Sequence, residues 1–453
     1  VQAQDDIVVV MENWYASTCR ECPAGCGILA KSREARIVKI EGNPLHPINK
    51  GKLCMRGQAA LQGMYNPDRL KTAMLKENGQ WQSLSFSKAE SILKTKAAQA
   101  AQNGQNRVHM LTETVGNTLM SLFTATLQNL NSQPPLVFEP YAYESLKTAN
   151  EKVFGVDGLV SYRMDQADVL VSFGADFLET WLSPVEYAWK FKAMHAVKDR
   201  NKNLFFQISP YQSLTGANAD HWLSCNPGSE AVVAIGLIRQ ALDIGKGKEL
   251  PKGLREFLNK TTAPYIQDRV LEGSGIPLAL YEKLIIQLME AQRPLVLGTN
   301  TGGSDLNGVQ TNLAVNLLNL ILDPDLSLLD FSERHRIETA AKRSDILQIF
   351  SSLNTAGAEL PAGRFAVRGG FEHTGSGIAL DSVEAVFGKT TATVSGTVSV
   401  ADGLVGTDVH IRCAGTDLGE VGSLAGRKLY LADRDGPRAR VADICDHFGS
   451  DKA

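Results

Sequence analysis

The stretch Cys19-Arg20-Glu21-Cys22-Pro23-Ala24-Gly25-Cys26 places three cysteines within eight residues, and Cys54 follows after a further 27. Three thiolates in one loop can hold three corners of an iron–sulfur cubane, and a cysteine brought back by a later turn supplies the fourth corner. A disulfide framework would instead distribute an even number of cysteines over a small chain. The spacing therefore predicts one [4Fe–4S] cluster held by Cys19, Cys22, Cys26 and Cys54.

Zinc is the main alternative for these four cysteines. Zinc sites favour two Cys-x2-Cys pairs or mixed Cys/His pairs, whereas this loop holds three cysteines and no nearby histidine. Gly25 and Gly27 flank the third cysteine and allow backbone N–H groups to approach sulfur. The pattern favours a cluster, with zinc and unligated structural cysteines left as alternatives. Of the remaining cysteines, Cys225 is predicted to be a small buried hydrophobic residue.

Composition narrows the class of protein further. The chain has 453 residues, and its 46 basic and 49 acidic residues give a formal net charge of -3. This balance does not indicate binding to nucleic acid or to an anionic membrane surface. No run of about 18 apolar residues is present, so we expect no direct membrane span and any membrane association through partner subunits.

The order of the predicted elements indicates an α/β fold. A small N-terminal β-rich iron–sulfur domain is followed by strands alternating with helices, which is typical of open parallel-sheet α/β domains. The predicted domains are 1–75, 76–150 (completed by 290–355), 151–289 and a β-rich C-terminal segment, 356–453. The predicted strands are Val108–Leu111, Val169–Phe173, Leu204–Ile208, Pro294–Gly298 and Thr390–Val400, and the predicted helices are 87–102 with Ser87 as N-cap, 117–130, Ser229–Leu242 and Asn312–Leu322.

Several motifs together resemble one family, the molybdopterin oxidoreductases (the dimethyl sulfoxide reductase family). The resemblance extends over about residues 14–325 and is specific in the order and spacing of its motifs. The motifs are Trp14–Gly27 with its three cysteines, Glu41-Gly42-Asn43-Pro44, Gly51-Lys52-Leu53-Cys54-Met55-Arg56-Gly57, Ser172–Phe177, Ala219-Asp220 with Pro227-Gly228, and Ala314–Asn319.

Phe138–Tyr141 and Phe177–Trp181 look most like one branch of that family, the large iron–sulfur subunit of alternative complex III (the ActB type). This resemblance implies an electron-transfer and scaffold subunit of a membrane-associated respiratory complex that oxidises quinol. It also implies ferredoxin-like and multihaem cytochrome partner subunits. A peripheral, periplasmic position is implied as well, and a chain that starts at Val1 without methionine agrees with export of a processed protein. Arg56 corresponds to a basic residue that lies between cluster and pterin in relatives, although it could equally be a surface arginine.

The sequence departs from catalytic relatives in one important position. Those relatives ligate molybdenum with Cys, selenocysteine, Ser or Asp downstream of the fourth cluster cysteine, but no cysteine lies between Cys54 and Cys225. Ser145 and Asp157 are possible substitutes, though neither lies in a ligand-like motif. We therefore expect molybdopterin to be absent and the chain to have no turnover by itself. A molybdopterin-dependent oxidoreductase acting on a small anion or sulfur compound is the alternative, and a structural subunit with a vestigial cysteine loop is a weaker one.

Overall fold

The computed structural model describes residues 12–104, 107–197, 202–299 and 307–355, and the strands between 365 and 414. Side chains are described up to residue 351. The chain divides into two compact units, residues 1–346 and 347–453. Two further segments of the sequence lie outside the described residues. They are the pair Cys445 and His447, which we interpret as incidental rather than metal-binding, and most of the glycine-rich segment Gly298–Gly303, which we interpret as a structural loop.

The N-terminal lobe, residues 13–64, is a three-stranded antiparallel sheet covered on one side by a helix. The sheet order is β1-β2-β3, and the helix α1 packs against β3. Tyr65, at the end of that helix, accepts a hydrogen bond from the backbone N–H of Ile37 at 2.7 Å. This arrangement confirms the small β-rich N-terminal domain that the sequence predicts. The elements are β1 (Asn13–Thr18), β2 (Gly27–Arg33), β3 (Arg36–Gly42) and α1 (Met55–Met64).

A hairpin and a long helix follow, β4 (Ala73–Glu77), β5 (Gln80–Leu84) and α2 (Phe86–Gln102). The Ser85 hydroxyl accepts a hydrogen bond from the Lys88 backbone N–H, so Ser85 is the N-cap. The expectation of Ser87 in this role was wrong by two residues, because the cap must precede the first helical residue to reach the third N–H.

A short parallel strand–helix–strand unit comes next, β6 (Leu111–Thr112), α3 (Asn117–Asn129) and β7 (Leu136–Val137). The strand expected at 108–111 is shifted toward the C-terminus, and it is not buried, since Leu111 is half exposed. The apolar run therefore predicts the presence of a strand correctly, but it does not predict that this strand is left partly exposed.

The centre of unit 1 is a four-stranded parallel sheet with the order β11-β10-β9-β12. Every residue of β9 is buried, because helices cover both faces of the sheet, as a continuous apolar run predicts. The α/β fold class is thereby confirmed, while the predicted domain boundaries remain predictions. The elements are α4 (Glu144–Phe154), β8 (Val160–Tyr162), β9 (Val169–Phe173), α5 (Pro184–Met194), β10 (Leu204–Ser209), α6 (Leu214–Ala217), β11 (His221–Ser224), α7 (Glu230–Asp243), α8 (Lys252–Thr262), α9 (Gln267–Ser274), α10 (Leu278–Glu290), β12 (Pro294–Leu297), α11 (Gly308–Leu322), β13 (Leu329–Arg334) and α12 (Arg343–Thr355).

Three buried asparagines on α11 tie this helix to the sheet and to α4. Asn319 bonds both the N–H and the C=O of Val296, at 2.9 and 2.8 Å. Asn316 donates to Asn150 at 2.9 Å, and Asn312 accepts from the N–H of Thr299 at 3.0 Å. Buried amides must be paired, so these contacts fix how α11 packs.

Unit 2 contains an antiparallel meander with the order β14-β15-β16-β17. The predicted strand at Thr390–Val400 is confirmed by β16, and Val400 lies outside the described residues. None of the described helices in the chain is long and apolar enough to cross a bilayer. The strands are β14 (Phe365–Thr374), β15 (Gly377–Phe387), β16 (Thr390–Ser399) and β17 (Asp408–Ala414).

Candidate metal centre

The first three cysteines lie in a tight loop between β1 and β2. The N–H of Cys19 donates to the C=O of Cys26 at 2.8 Å, which closes the loop at its base. Gly25 adopts a left-handed backbone with φ of +62°, a conformation that costs glycine little. Cys19 and Cys26 are buried, whereas Cys22 is partly exposed. The loop therefore contains two buried cysteines and one cysteine that is partly accessible to solvent.

The fourth cysteine returns to this loop through residues 43–53, and two glycines permit the approach. A Cβ on Gly27 would meet the His46 ring at 2.5 Å, and a Cβ on Gly42 would meet the backbone of Gly51 at the same distance. Side chains at these two positions would separate the segment that carries Cys54 from the cysteine loop.

Asn49 holds the two segments together. This fully buried side chain accepts from the N–H of Gly27 at 2.9 Å and donates to the C=O of Gly27 at 2.9 Å. It also donates to the C=O of Lys52 at 2.7 Å. Because Gly27 follows Cys26 and Lys52 lies two residues before Cys54, this one amide links the third ligand position to the fourth.

The four thiols interact electrostatically. Burial, followed by the negative charges of Cys22, Cys19 and Cys54, raises the pKa of the Cys26 thiol to about 12. Burial also raises the pKa of Cys19, and the charges of Cys22 and Cys54 add to this effect. Cys19 and Cys26 therefore resist ionisation, because burial and neighbouring negative charge both oppose it, and bound iron ions would relieve both costs. The donor set and its loop therefore fit a cubane cluster.

The helix α5 connects the N-terminal lobe to the α/β body. Val185, in its first turn, packs against the apolar cluster formed by Cys19, Cys26, Ile28 and Ile40. One turn later, the Trp189 indole donates to the C=O of Ile48 at 2.9 Å, and the Lys50 ammonium lies 3.9 Å from the Trp189 ring centroid. These contacts bring the cysteine loop to the N-terminal end of α5.

A cavity of about 520 Å³ lies beside the loop. Arg56, predicted to act beside the cluster, lines it and donates to the C=O of Glu179 at 3.2 Å, so its guanidinium bridges the lobe and the α/β body. Tyr143 also lines the cavity, with its hydroxyl donating to the C=O of Thr180 and accepting from the N–H of Leu182. Other lining residues are Cys19, Arg20, Cys22, Glu113, Glu139, Tyr141, Pro184 and Arg336.

Ser145 and Asp157, the two residues considered as substitutes for a molybdenum ligand, do not line this cavity. Ser145 is buried, and its hydroxyl accepts from the amide of Asn312 at 3.3 Å. Asp157 is exposed, and its backbone C=O accepts from Arg334. Cys225 is buried, as predicted.

Sequence reasoning missed Asn49, Val185 and Trp189, which contact the cysteine loop or the segment that leads to Cys54. It also missed Tyr143, which lines the cavity beside the loop. Asn49 lies in a polar turn sequence, where an exposed side chain is the ordinary expectation. Tyr143 has a positive φ of 52°, which no sequence pattern indicates for tyrosine. The described residues contain no group of three or more His, Cys, Asp or Glu side chains arranged to hold a single metal ion.

Comparison with known proteins places these observations in a family context. Residues 12–66 match the family model of the molybdopterin oxidoreductase Fe4S4 domain, which supports an iron–sulfur cluster in the N-terminal lobe. Acetylene hydratase from Pelobacter acetylenicus has a similar fold, with a TM-score of 0.54 and 16% identity over 68% of this chain and 43% of its own. The N-terminal cluster domain and the α/β body thus follow the fold of a molybdopterin enzyme.

Three curated relatives have similar sequences. The menaquinone reductase molybdopterin-binding-like subunit of Nitratidesulfovibrio vulgaris is 25% identical over 69% of this chain and 47% of its own length. A sulfite dehydrogenase subunit of Allochromatium vinosum is 24% identical over 51% and 24%, respectively. The molybdopterin-containing ArrA subunit of the Shewanella arsenate respiratory reductase is 25% identical over 68% and 40%. The chain has homologues in the molybdopterin oxidoreductase family and spans less than half the length of these three.

Proposed function

We propose that this chain is an iron–sulfur electron-transfer subunit of a quinone-linked respiratory complex, with one [4Fe–4S] cluster on Cys19, Cys22, Cys26 and Cys54. The observation that carries the proposal is the joining of the two cysteine segments by Asn49 within an Fe4S4 domain. The name of the Nitratidesulfovibrio relative, a menaquinone reductase subunit, supports the link to quinone.

The protein residues supply position and charge rather than bond chemistry. A bound cluster would accept and release one electron at a time. Cys19 and Cys26 are buried, whereas Cys22 is partly exposed, and Cys19 and Cys22 both line the cavity. Arg56 places a positive charge at the same cavity, where it offsets the negative charge of the thiolates and favours arrival of an electron.

We further propose that the complex is of the alternative complex III type, with ferredoxin-like and multihaem cytochrome partners, and that this chain binds no molybdenum. The lack of a cysteine between Cys54 and Cys225 supports the second part, as do the positions of Ser145 and Asp157 away from the cavity. Under this proposal the chain transfers electrons and organises partners but does not turn over a substrate by itself.

A molybdopterin-dependent oxidoreductase is the second candidate function. Two relatives favour it, since one is a subunit of a sulfite dehydrogenase and the other is the molybdopterin-containing subunit of an arsenate respiratory reductase. Such an enzyme would act on a small anion or sulfur compound.

Metal and pterin analysis of the purified assembly distinguishes these candidates. We expect about four irons and four sulfides per chain without molybdenum or tungsten, and a low-temperature EPR signal after reduction. Cys22→Ser and Cys54→Ser should each lose this signal and most of the iron, whereas the matched control Cys225→Ala should retain both. Iron together with molybdenum and a pterin would favour the second candidate, and stoichiometric zinc without iron would overturn both.

We also propose a position on the periplasmic face of the membrane, by analogy with the exported branch that the sequence resembles. Added protease should degrade the chain in intact spheroplasts while a cytoplasmic marker survives. Degradation only after lysis would contradict export.

A further inference from the structure

The wall of the cavity beside the cysteines contains two residues in a strained backbone conformation. Tyr143 and Leu182 have φ values of +52° and +50°, in the left-handed region that residues other than glycine rarely adopt. Both residues are buried, and both line the cavity together with Cys19 and Cys22. Strain of this kind persists only where surrounding contacts enforce it, and it is concentrated at functional sites. The contacts that hold these two residues therefore indicate what the wall does.

One hydroxyl joins the two strained residues. The Tyr143 hydroxyl accepts a hydrogen bond from the N–H of Leu182 at 2.9 Å and donates one to the C=O of Thr180 at 3.1 Å. Burial raises the pKa of this hydroxyl to about 12, so it keeps the proton that it donates. Tyr143 directly precedes α4, whereas Thr180 and Leu182 lie in the loop before α5. A single side chain at the start of α4 therefore fixes both ends of the segment 180–182.

The residue before this segment, Glu179, contacts the N-terminal lobe through its backbone. Its C=O accepts a hydrogen bond from the Arg56 guanidinium at 3.2 Å. Its carboxylate accepts a hydrogen bond from the N–H of Leu214, the first residue of α6. The carboxylate of Glu179 is therefore bonded to α6, and Arg56 bonds the carbonyl of the same residue instead.

The charge of Arg56 is not neutralised within the part of the chain that the structure describes, since none of the ion pairs there includes this residue. Three carboxylates share its cavity, those of Glu21, Glu113 and Glu139. Glu113 pairs with Arg20, and Glu139 accepts two hydrogen bonds from Thr114. A cation beside thiolate ligands stabilises the more negative, reduced state of an iron–sulfur centre, and this effect depends on its distance. The position of the Arg56 guanidinium therefore decides how large the effect is.

We propose that Tyr143 and Glu179 are positioning residues for electron transfer at the metal centre. The Tyr143 hydroxyl holds the segment 180–182, and this segment, with α6, holds the Glu179 carbonyl in place. The carbonyl in turn holds Arg56 at a position beside the cysteines where its charge raises the reduction potential. This inference rests on the proposed function, since it needs a redox-active cluster on the four cysteines. It adds that the α/β body, and not the cysteine lobe alone, sets the potential of that cluster.

The first experiment measures the reduction potential of the purified assembly by redox titration with EPR detection. Arg56→Gln should lower the equilibrium constant for one-electron reduction about tenfold, which is a shift of about 59 mV. Tyr143→Phe keeps the ring and removes only the hydroxyl, and it should lower the same constant about threefold. Tyr281→Phe is the matched control, because Tyr281 is fully buried on α10 and its hydroxyl has no hydrogen-bond partner among the described residues. It should leave the potential unchanged.

A double variant separates positioning from a general structural role. If Tyr143 acts through Arg56, adding Tyr143→Phe to Arg56→Gln should have no further effect on the potential. If the hydroxyl merely keeps the surroundings of the centre rigid, Tyr143→Phe should lower the potential equally with and without Arg56. Equal shifts in the two backgrounds, or no shift from Tyr143→Phe alone, would overturn the inference.

Two substitutions of Glu179 give an independent test if Tyr143→Phe disturbs folding. Glu179→Gln removes the negative charge but keeps an oxygen that can accept the Leu214 N–H, so the potential should rise slightly. Glu179→Ala removes the same charge and also frees the segment from α6, so the potential should fall. The loss of charge and the loss of position thus act in opposite directions, and a rise in both variants would refute positioning.

Iron content and the EPR signal of each variant distinguish a failure of this inference from a failure of the proposed function. A protein without any iron–sulfur signal overturns the proposed function and this inference with it. An intact signal whose potential responds to Arg56→Gln but not to changes at Tyr143 and Glu179 overturns this inference alone.

Discussion

Replacing Asn49 by alanine tests whether the link between the two cysteine segments is what forms the metal centre. The substitution leaves all four cysteines in place and removes three hydrogen bonds, two to Gly27 and one to Lys52. We expect the segment that carries Cys54 to detach more readily from the loop that carries Cys26.

The magnitude follows from the burial of this side chain, which is fully enclosed. A typical hydrogen bond contributes about 1 kcal/mol net, and a buried group left without a partner costs roughly 1–3 kcal/mol. Three lost bonds, with partial hydration of the three groups left behind, amount to about 3 kcal/mol. Opening of the lobe should therefore become roughly a hundredfold more frequent.

Two measurements report this opening. The Asn43 amide donates to the C=O of Gly27 at 2.9 Å and keeps this partner in the variant. Its hydrogen exchange should accelerate by about two orders of magnitude under conditions where exchange follows the opening equilibrium. The rate of iron release to a chelator should rise by a similar factor, because the ligands must separate before iron leaves.

Asn43→Ala is the matched control. The Asn43 side chain accepts one hydrogen bond, from the exposed N–H of Leu45 at 3.0 Å, so its loss should cost less than about 1 kcal/mol. If Asn49→Ala and Asn43→Ala release iron at the same rate, the link is not what holds the centre together.

Two further predictions concern buried charge in the α/β body. Burial lowers the pKa of His335 to about 4, and its ring bonds the Tyr187 hydroxyl at 2.8 Å. Because the pKa of histidine in the unfolded chain is about 6.5, the free energy of unfolding should fall by about 3 kcal/mol between pH 6.5 and pH 4. In chemical denaturation, His335→Gln should flatten this pH dependence. Lys190→Met should lower the free energy of unfolding by about 3–5 kcal/mol, because it leaves Glu186 buried without its ion-pair partner at 2.6 Å. In urea melts, a double variant that adds Glu186→Leu should recover most of that loss. Equal midpoints for the single and double variants would contradict this account.

Much of the fold could be predicted from local patterns in the sequence. The buried strand at 169–173 follows from a continuous apolar run. The spacing of the four cysteines predicts an iron–sulfur domain, and the matching Fe4S4 family model supports this domain at residues 12–66. The cap of α2 was misplaced because Ser85 and Ser87 both match the pattern for an N-cap, and the backbone conformation decides between them. Local patterns predict an element well but do not specify its limits.

The contacts that position the metal centre could not be predicted in this way, because they join residues distant in sequence. Asn49 reaches back 22 residues to Gly27, and Trp189 reaches 141 residues to Ile48. A single sequence carries no pairing information for such contacts. Tyr143 is a further case, since its hydroxyl bonds the backbone of Thr180 and Leu182, 37 and 39 residues away in sequence.

The position of α5 explains why the cysteine loop lies where the N-terminal lobe meets the α/β body. Val185 and Trp189 lie four residues apart, hence on one face of the helix, and both contact the lobe. Glu186 and Lys190 share an adjacent face and form an ion pair inside the body. The same helix therefore fixes the lobe on one side and the body on the other. The positive end of its dipole is directed toward the cysteine loop, where it favours negative charge on the thiolates. A rigid helix anchored on both sides would keep the loop in place while the charge of the proposed cluster changes by one electron.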